Sequence, residues 1–318
     1  MLHTRRDFGK LALAGASVAA LSAAINSKIK DVQIGTITYS FGQMPVGEII
    51  PAMASIGLSE VELMSNHCEA MMGAPAVPFG GGRGRGQMTD EQKAAQRQQQ
   101  EALHKWRMST SPSAFKAVKT KFNEAGIDVQ ILCFNQRIDA TDDEIEYAFQ
   151  MAKALGVHAI SSSSTVAFAK RVAPFAEKHK MMWGGHGHAN IFDPEEFAKP
   201  ETFAEIMSFG KYIGANLDIG HYTAAGYDPI PFIKENHARI TNLHLKDRKK
   251  PARPITDTNT ANLPWGQGDT PIKEVLQLMA KERYSFPANI ELEYQIPAGS
   301  DRVTEVRKCF QYCKDALA

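Results

Sequence analysis

The chain has 318 residues, of which 43% are hydrophobic and 22% charged, so it can bury one large core and is not a disordered chain. Its 36 Lys and Arg nearly balance its 35 Asp and Glu. This balance excludes the strongly basic surface expected of a protein that binds nucleic acid or an acidic membrane.

The first 24 residues predict an export signal rather than part of a folded domain. Arg5 and Arg6 precede an apolar run from Leu11 to Ala24, which is typical of a twin-arginine signal. Small residues at 22–24 favour cleavage there, leaving residues 25–318 as a periplasmic chain whose net charge falls from +1 to −1. An uncleaved anchor is the alternative, but the run is too short and too weakly apolar for a membrane span. We therefore expect no stable membrane insertion after cleavage.

Beyond residue 24, apolar runs typical of strands alternate with segments of helical periodicity. This alternation predicts a single α/β domain with the fold of a (β/α)8 TIM barrel. A doubly wound sheet is the alternative, but no glycine-rich phosphate turn follows the first predicted strand. The predicted strands are Val32–Phe41, Glu60–Met64, Val129–Phe134, Ala159–Ser163, Met181–Gly185, Ala215–Ile219, Ile240–Leu245 and Ala288–Tyr294.

Helical spacing is clearest in four of the segments between these strands. Glycines directly after three of them are expected to act as left-handed helix caps. The predicted helices are Pro112–Ala125, Asp142–Leu155, Thr202–Ile213 and Pro271–Lys281, and the predicted caps are Gly126, Gly156 and Gly214.

An insertion at about residues 73–107 interrupts the alternation. It contains a glycine-rich run, Gly80 to Gly86, then a Gln-rich stretch and a helical segment through Trp106. A flexible surface insertion is the simpler interpretation. A lid over the barrel mouth is the alternative, because the insertion follows the second strand on the catalytic side.

The four cysteines carry no metal or disulfide signature. Cys68, Cys133, Cys309 and Cys313 form no pair of CxxC motifs. One helical turn separates the last two, which is poor geometry for a disulfide. We expect four buried free thiols.

Polar side chains follow four successive apolar runs in the second half of the chain. Because the carboxyl ends of barrel strands meet at one mouth, these side chains are expected to converge. Imidazoles and carboxylates together predict a divalent metal site for Mn, Zn, Co or Fe rather than Ca. The four groups are His186 with His188, Asp218 with His221, His244 with Lys246, and Glu291 with Glu293.

Two residues of the second strand region are further candidates. Glu62 lies within an apolar strand and is expected to face the barrel interior, where a buried salt bridge is the structural alternative to a catalytic role. His67 follows that strand by three residues and is a candidate for contact with substrate.

Four motifs give the chain a family resemblance over roughly residues 30–315. They resemble the xylose isomerase-like barrels, which include the sugar-phosphate isomerase/epimerase group. Endonuclease IV shares the Asp-x-x-His and Ala-Ala-Gly features. The motifs are Leu217-Asp-Ile-Gly-His221 with Ala224-Ala-Gly226, Asn242-Leu-His-Leu-Lys-Asp-Arg248, Trp265-Gly-Gln-Gly-Asp-Thr-Pro271 and Ile290-Glu-Leu-Glu-Tyr294.

The resemblance implies a metal held by residues from strands five to eight. The implied ligands are His186, Asp218, His244 and Glu291. Ketose 3-epimerases of the group usually carry Glu where His186 stands, so their two-carboxylate proton relay is not expected here. The third strand ends in Phe134-Asn135-Gln136 and offers no histidine for the extra zincs of endonuclease IV.

These expectations define a divalent-metal-dependent isomerase or epimerase that acts on a sugar by proton transfer next to a carbonyl. Lys246 is the predicted mobile acid or base, because burial near a cation lowers the pKa of a lysine. Glu293, Glu62 or His188 would carry the second proton, and His188, His221, His67 and Arg248 would bind substrate. The alternatives are a lyase acting on 3-keto-glycosides by β-elimination and a noncatalytic carbohydrate-binding barrel. Assembly as a homo-oligomer is left open.

Overall fold

Eight parallel strands form a closed barrel in the computed structural model, which describes residues 25–77 and 89–318. Each strand pairs with its successor, and β1 pairs with both β2 and β8, which closes the ring. The predicted TIM barrel is therefore confirmed. The strands are β1 Val32–Ile37, β2 Glu60–Met64, β3 Asp128–Cys133, β4 Ala159–Ser162, β5 Met182–His186, β6 Ile213–Asp218, β7 Ile240–Leu245 and β8 Ala288–Ile290.

Helices lie between the strands and around the barrel. A short two-stranded ribbon, Asp247–Arg248 with Asn262–Leu263, follows β7. The helices are α1 Val46–Ile56, α2 Ser65–Met71, α3 Asp90–Ser109, α4 Lys116–Glu124, α5 Asp142–Leu155, α6 Val166–His179, α7 Pro200–Ser208, α8 Ile219–Ala224, α9 Pro229–Asn236, α10 Ile272–Glu282 and α11 Arg302–Leu317.

The main hydrophobic core lies between the strands and the helices. In β2, Val61 and Leu63 belong to that core, whereas Glu60 and Glu62 are fully buried among the polar side chains inside the barrel. This split follows from the alternation of side chains along a strand. At β2, the barrel interior is therefore polar, and the main apolar core lies outside it.

Several predicted boundaries are wrong by a few residues. The first strand ends at Ile37 and continues as a 3-10 helix, Thr38–Phe41, while β8 ends at Ile290. Glu291 and Glu293 therefore lie beyond the strand to which the sequence assigned them.

Gly214 is not a helix cap. The helix before it, α7, ends at Ser208, and Gly214 lies inside β6. A Cβ atom at this position would lie 2.1 Å from the carbonyl oxygen of Arg239, so glycine is needed for close packing. Gly126 and Gly156 do follow their helices with positive φ angles of 76° and 64°.

The end of the insertion is attached firmly to the barrel. Arg107, near the end of α3, donates to both oxygens of Glu69 on α2, at 2.7 and 2.9 Å. Its guanidinium also stacks over Phe134, 4.9 Å from the ring centroid. Residues 90–109 are thus an anchored helix rather than a flexible loop. The run from Gly80 to Gly86 and the predicted export signal lie outside the described residues, so the lid stays a prediction.

All four cysteines are free and buried, as predicted. Burial raises the pKa of each thiol, to about 12 for Cys309. We expect native protein at pH 8 to resist iodoacetamide, because alkylation requires an accessible thiolate. Mass spectrometry should show four modified thiols after unfolding in guanidinium, and modification of the native protein would contradict the buried environment.

None of the helices within residues 25–77 and 89–318 combines the length and the apolar character needed to span a bilayer.

Candidate metal centre

Four side chains from successive strands converge at the mouth of the barrel. His186 and Asp218 end β5 and β6, His244 lies in β7, and Glu291 directly follows β8. One ligand atom from each lies within 4.8 Å of the others, and all four residues are buried. The four residues whose roles the family resemblance implied are therefore brought together by the fold, in a cluster small enough for one ion.

The donor set fits a divalent transition metal. Nδ1 of His186 is buried without a hydrogen-bond partner, which is costly for a polar atom, and Oδ2 of Asp218 has only its ion pair with Lys246. Burial holds the pKa of His186 well below its ordinary value, so its imidazole is neutral and offers a lone pair. A site with imidazole and carboxylate ligands suits Mn, Fe, Co or Zn.

The carboxylate of Glu62, on β2, holds the imidazole of His244, on β7, across the barrel interior. Its Nε2 lies 2.5 Å from Oε2 of Glu62, and its Nδ1 lies 3.0 Å from Oε2 of Glu291. A carboxylate that holds the distal nitrogen of a metal-binding histidine orients the ring and makes it a stronger ligand. Glu62 also accepts hydrogen bonds from Asn242 at 2.7 Å and from Ser161. Its place beneath the cluster suits a positioning role.

Replacing Glu62 with Gln tests that role. We expect metal affinity to fall about 10–100-fold, because loss of a carboxylate that orients a ligand typically has this effect. Calorimetric titration with Mn²⁺ or Zn²⁺ would measure it. Glu69→Gln is the matched control, since Glu69 is an equally buried carboxylate that contacts Arg107 instead. Equal losses of affinity in both variants would indicate general destabilisation.

Lys246 lies among carboxylates, and its predicted pKa shift is wrong in direction. Its Nζ is 2.9 Å from Asp218, 2.7 Å from Glu291 and 2.6 Å from Glu293. Burial alone lowers the pKa of Lys246, but these three carboxylates raise it by more. The expected lowering of this pKa took burial and a cation into account but not the three anionic neighbours of Lys246. In this environment Lys246 is held as an ammonium group that donates hydrogen bonds to its three carboxylate neighbours.

The electrostatics of the cluster follow from the same contacts. Burial raises the pKa of Glu291, but Lys246 and His244 lower it by more, so this carboxyl is ionised. Burial raises the pKa of Asp218 against the opposing effect of Lys246. Burial lowers the pKa of His244, but the carboxylates of Glu62 and Glu291 raise it well above its ordinary value.

A second group of histidines lies at the rim. His188 and His221 are partly exposed, their ring centroids are 5.1 Å apart, and both lie near His186. Nη1 of Arg248 donates to Nδ1 of His221 over 2.6 Å, and burial keeps the pKa of that histidine low. The proton of neutral His221 is therefore on Nε2. His188 and His221 therefore lie beside the cluster, and their contact with substrate, like that of Arg248, stays a prediction.

Asp247 is a residue whose role the sequence argument missed. Its carboxylate accepts the N–H groups of Gly266 and Gly268, both at 2.8 Å, and of Thr270 at 3.2 Å. A Cβ atom at Gly268 would lie 2.0 Å from Oδ1 of Asp247, so glycine is required there. This contact ties the Trp265–Pro271 motif to the end of β7 and holds Arg248 in place. In the sequence, the signal for this contact was the glycine-rich segment itself, which can offer several backbone N–H groups to one carboxylate.

The predicted contact between His67 and substrate stays a prediction. His67 lies in α2 and its Nδ1 is 2.9 Å from the hydroxyl of Thr38. Tyr39, which was not predicted from the sequence, lies near the carboxylates of Glu293 and Glu291. Burial and then the carboxylates of Glu293 and Glu291 raise its pKa.

Three buried asparagines that bind Glu60 or Glu62 were not predicted from the sequence. Asn216 and Asn242 donate to Glu62, and Asn289 donates to Glu60 over 2.6 Å. Each precedes a cluster residue by two positions, so the period of a strand could have revealed them.

A cavity of about 420 Å³ opens at the other end of the barrel. Its lining includes Lys119, Asp128, His158 and Thr241, near the amino ends of the strands. None of the four cluster residues lines it. In TIM barrels, the amino-terminal end contributes to stability, whereas the chemistry takes place at the carboxyl-terminal end.

A family model described as the xylose isomerase-like TIM barrel matches residues 95–314, more than half of the chain. The chain belongs to this family. The match includes all four residues of the metal cluster, together with Lys246 and Glu293.

Solved structures of this family share the fold at low sequence identity. A xylose isomerase domain protein from Planctomyces limnophilus is 13% identical, with a TM-score of 0.61 over 90% of this chain and 97% of that one. A probable 3-DHS dehydratase from Bacillus anthracis is 12% identical, with a TM-score of 0.60 over 89% and 99%. A sugar phosphate isomerase/epimerase from Parabacteroides distasonis is 18% identical, with a TM-score of 0.56 over 90% and 95%. No curated protein matches the chain significantly.

Proposed function

We propose that this protein is a divalent-metal-dependent isomerase or epimerase that moves a proton next to the carbonyl of a sugar or sugar derivative. One observation carries the proposal: a buried cluster of two histidines and two carboxylates lies directly below an ammonium–carboxylate pair, Lys246 and Glu293. The cluster would hold the ion, which when bound polarises a carbonyl group.

The pair at the rim supplies the proton chemistry. The Glu293 side chain is 22% exposed, so it can meet a substrate, and its carboxylate would remove the proton from carbon. The electron pair left on carbon moves to the carbonyl oxygen, where the Lys246 ammonium donates a hydrogen bond or a proton. Nε2–H of His221 would donate to a neighbouring hydroxyl. This assignment selects the acid role for Lys246 and the base role for Glu293 from those expected from the sequence.

The histidine at position 186 bears on which proton-transfer reactions the site can catalyse. It stands where ketose 3-epimerases of the group usually carry a second carboxylate, so the rim offers one carboxylate base. One base is enough to move a proton between neighbouring carbons on one face of a sugar. Epimerisation needs a second proton donor on the opposite face, for which His188 and His221 are the candidates.

A lyase or dehydratase is the second candidate function. β-Elimination also needs one base, and the Lys246 ammonium would protonate the departing oxygen. The dehydratase title of the Bacillus anthracis structure gives this candidate a neighbour of the same fold. The substrate would be a 3-keto-glycoside or another β-hydroxy carbonyl compound.

The test is a screen of sugars and 3-keto-glycosides in D2O with protein loaded with Mn, Zn, Co or Fe. We expect deuterium at the carbon next to the carbonyl in recovered substrate or product. An unsaturated product would favour the lyase. Turnover without deuterium uptake would contradict proton exchange with solvent and favour a hydride shift. Sugar binding without turnover in every metal-loaded form would favour a noncatalytic barrel.

Export to the periplasm is also proposed, on the basis of Arg5, Arg6 and the apolar run that follows them. A chain that acquires its metal before crossing the membrane would need a route for folded proteins, and twin-arginine export provides one. Replacing both arginines with Lys should leave the protein in the cytoplasmic fraction.

A further inference from the structure

Lys246 contacts the oxygens that face into the metal cluster. Oδ1 of Asp218 accepts the backbone N–H of His221 at 2.7 Å, which leaves Oδ2 directed at the cluster, and Lys246 Nζ lies 2.9 Å from this Oδ2. Oε2 of Glu291 likewise lies between His244 Nδ1, at 3.0 Å, and Lys246 Nζ, at 2.7 Å. The ammonium and a bound ion would therefore use lone pairs of the same two atoms.

Oδ2 of Asp218 and Oε2 of Glu291 cannot fully bind the Lys246 ammonium and a divalent ion at the same time. Three carboxylates surround a single ammonium that is only 2% exposed, so the ammonium is held by charge and not by solvent. A divalent ion brought to the same oxygens would repel the ammonium at short range in a poorly screened site. One of the two must give way, at least partly, when the other binds.

Lys246 already has one acceptor that is not a cluster oxygen, 2.6 Å from its Nζ. Its third acceptor, Glu293, is outside the four-residue cluster and its side chain is 22% exposed. The stem of Lys246 passes directly over Gly220, where a Cβ atom would lie 2.3 Å from Cγ of Lys246. Glycine at this position is therefore needed for the Lys246 stem to pack as it does.

We propose that Lys246 competes with the divalent ion for the oxygens of Asp218 and Glu291, so that it sets the metal affinity of the site. The inference rests on the proposed metal-dependent function. In the absence of the ion, the ammonium neutralises the buried carboxylates and keeps them folded together. With an ion bound, the ammonium would keep Glu293 as its acceptor, on the more exposed side of the cluster.

Metal affinity of Lys246→Met, measured by calorimetric titration of chelator-treated protein with Mn²⁺ and Zn²⁺, tests the competition. Met preserves the length of the stem and removes the charge. We expect tighter binding by about 5–150-fold, the range of ordinary coupling between two ligands. Lys249→Met is the matched control, because Lys249 is three residues away, 49% exposed and 3.8 Å from Asp269 rather than from a ligand. Its affinity should be nearly that of the wild type.

Thermal unfolding gives a readout that a purely structural lysine would not produce. Loss of Lys246 should lower the melting temperature of the metal-free protein, because it leaves buried carboxylates without a counterion. Metal should restore most of the loss, so the rise in melting temperature on metal addition should be larger in the variant. If metal-free Lys246→Met does not fold, Lys246→Gln offers an uncharged side chain that can still donate to the carboxylates.

Results of three kinds would contradict the proposed competition between Lys246 and the ion. Unchanged affinity in Lys246→Met would show that the ammonium and the ion occupy the site together without conflict. Weaker affinity, or equal losses of stability in the metal-free and metal-loaded forms, would make Lys246 a structural residue. Absence of metal binding in the wild type would remove both this inference and the proposed function, whereas the first two results leave the metal site intact.

Discussion

Asp218→Ala is expected to leave a folded protein that retains little divalent metal. The substitution removes one of four ligands from a cluster whose ligand atoms lie within 4.8 Å of one another. It also removes one of the three carboxylates around Lys246, so the ammonium is less well compensated. Elemental analysis of purified protein and calorimetric titration would measure the loss.

The same variant should lose the stability that metal contributes. An ion present at about 100 times its dissociation constant stabilises a protein by about 2.7 kcal/mol, and this linkage requires an intact site. Asp218 also caps α8 through its bond to the N–H of His221, so part of the loss is independent of metal. Asp228→Ala is the matched control, because Asp228 caps α9 in the same way at the surface. Full metal occupancy in Asp218→Ala would remove the central claim about this site.

Lys246→Met is expected to lower turnover about 10²–10⁴-fold, the usual contribution of a positioned acid or base. The ammonium lies 2.6 Å from Glu293, and Met cannot donate a proton. Assays at saturating metal separate this loss from any change in metal affinity. Once the screen has identified a substrate, steady-state kinetics and solvent deuterium exchange would both report the effect.

The pattern of losses assigns the roles of the two rim residues. If Glu293 is the base, Glu293→Gln should nearly abolish deuterium exchange, while Lys246→Met slows exchange and product formation together. Lys249→Met should behave as the wild type. Normal exchange in Lys246→Met would place the proton donor elsewhere, with His188 and His221 as the remaining candidates.

Much of the barrel could be predicted because its strands end in an abrupt change of residue type. Glu60–Met64 and Ile240–Leu245 were predicted with the observed bounds, since apolar residues alternate there with polar ones directed inward. β8 was predicted too long, because the chain beyond Ile290 has the composition of a strand but leaves the sheet. Local pattern cannot indicate where pairing with a neighbouring strand stops.

The contacts that tune the site were beyond local pattern. Glu62 and His244 are 182 residues apart, and their contact depends on closure of the barrel. The pKa of Lys246 depends on how many carboxylates surround it, and two of its three partners are in the segment after β8. The sequence could place one charged residue at each strand end, but the sign of a pKa shift required the distances among them.

The contact between Glu62 and His244 also bears on how the barrel opens. Glu62 lies on β2 and His244 on β7, which are not neighbours in the sheet, so this contact braces the ring across its interior. In an unbraced ring, a seam between two strands can part while the far side stays closed. Here, separating β2 from its neighbours would leave the buried carboxylate of Glu62 and the buried imidazole of His244 without each other as partners. The amide hydrogens of β2 and β7 should therefore exchange with solvent in one cooperative opening, and the first four strands should not persist as an independent half-barrel.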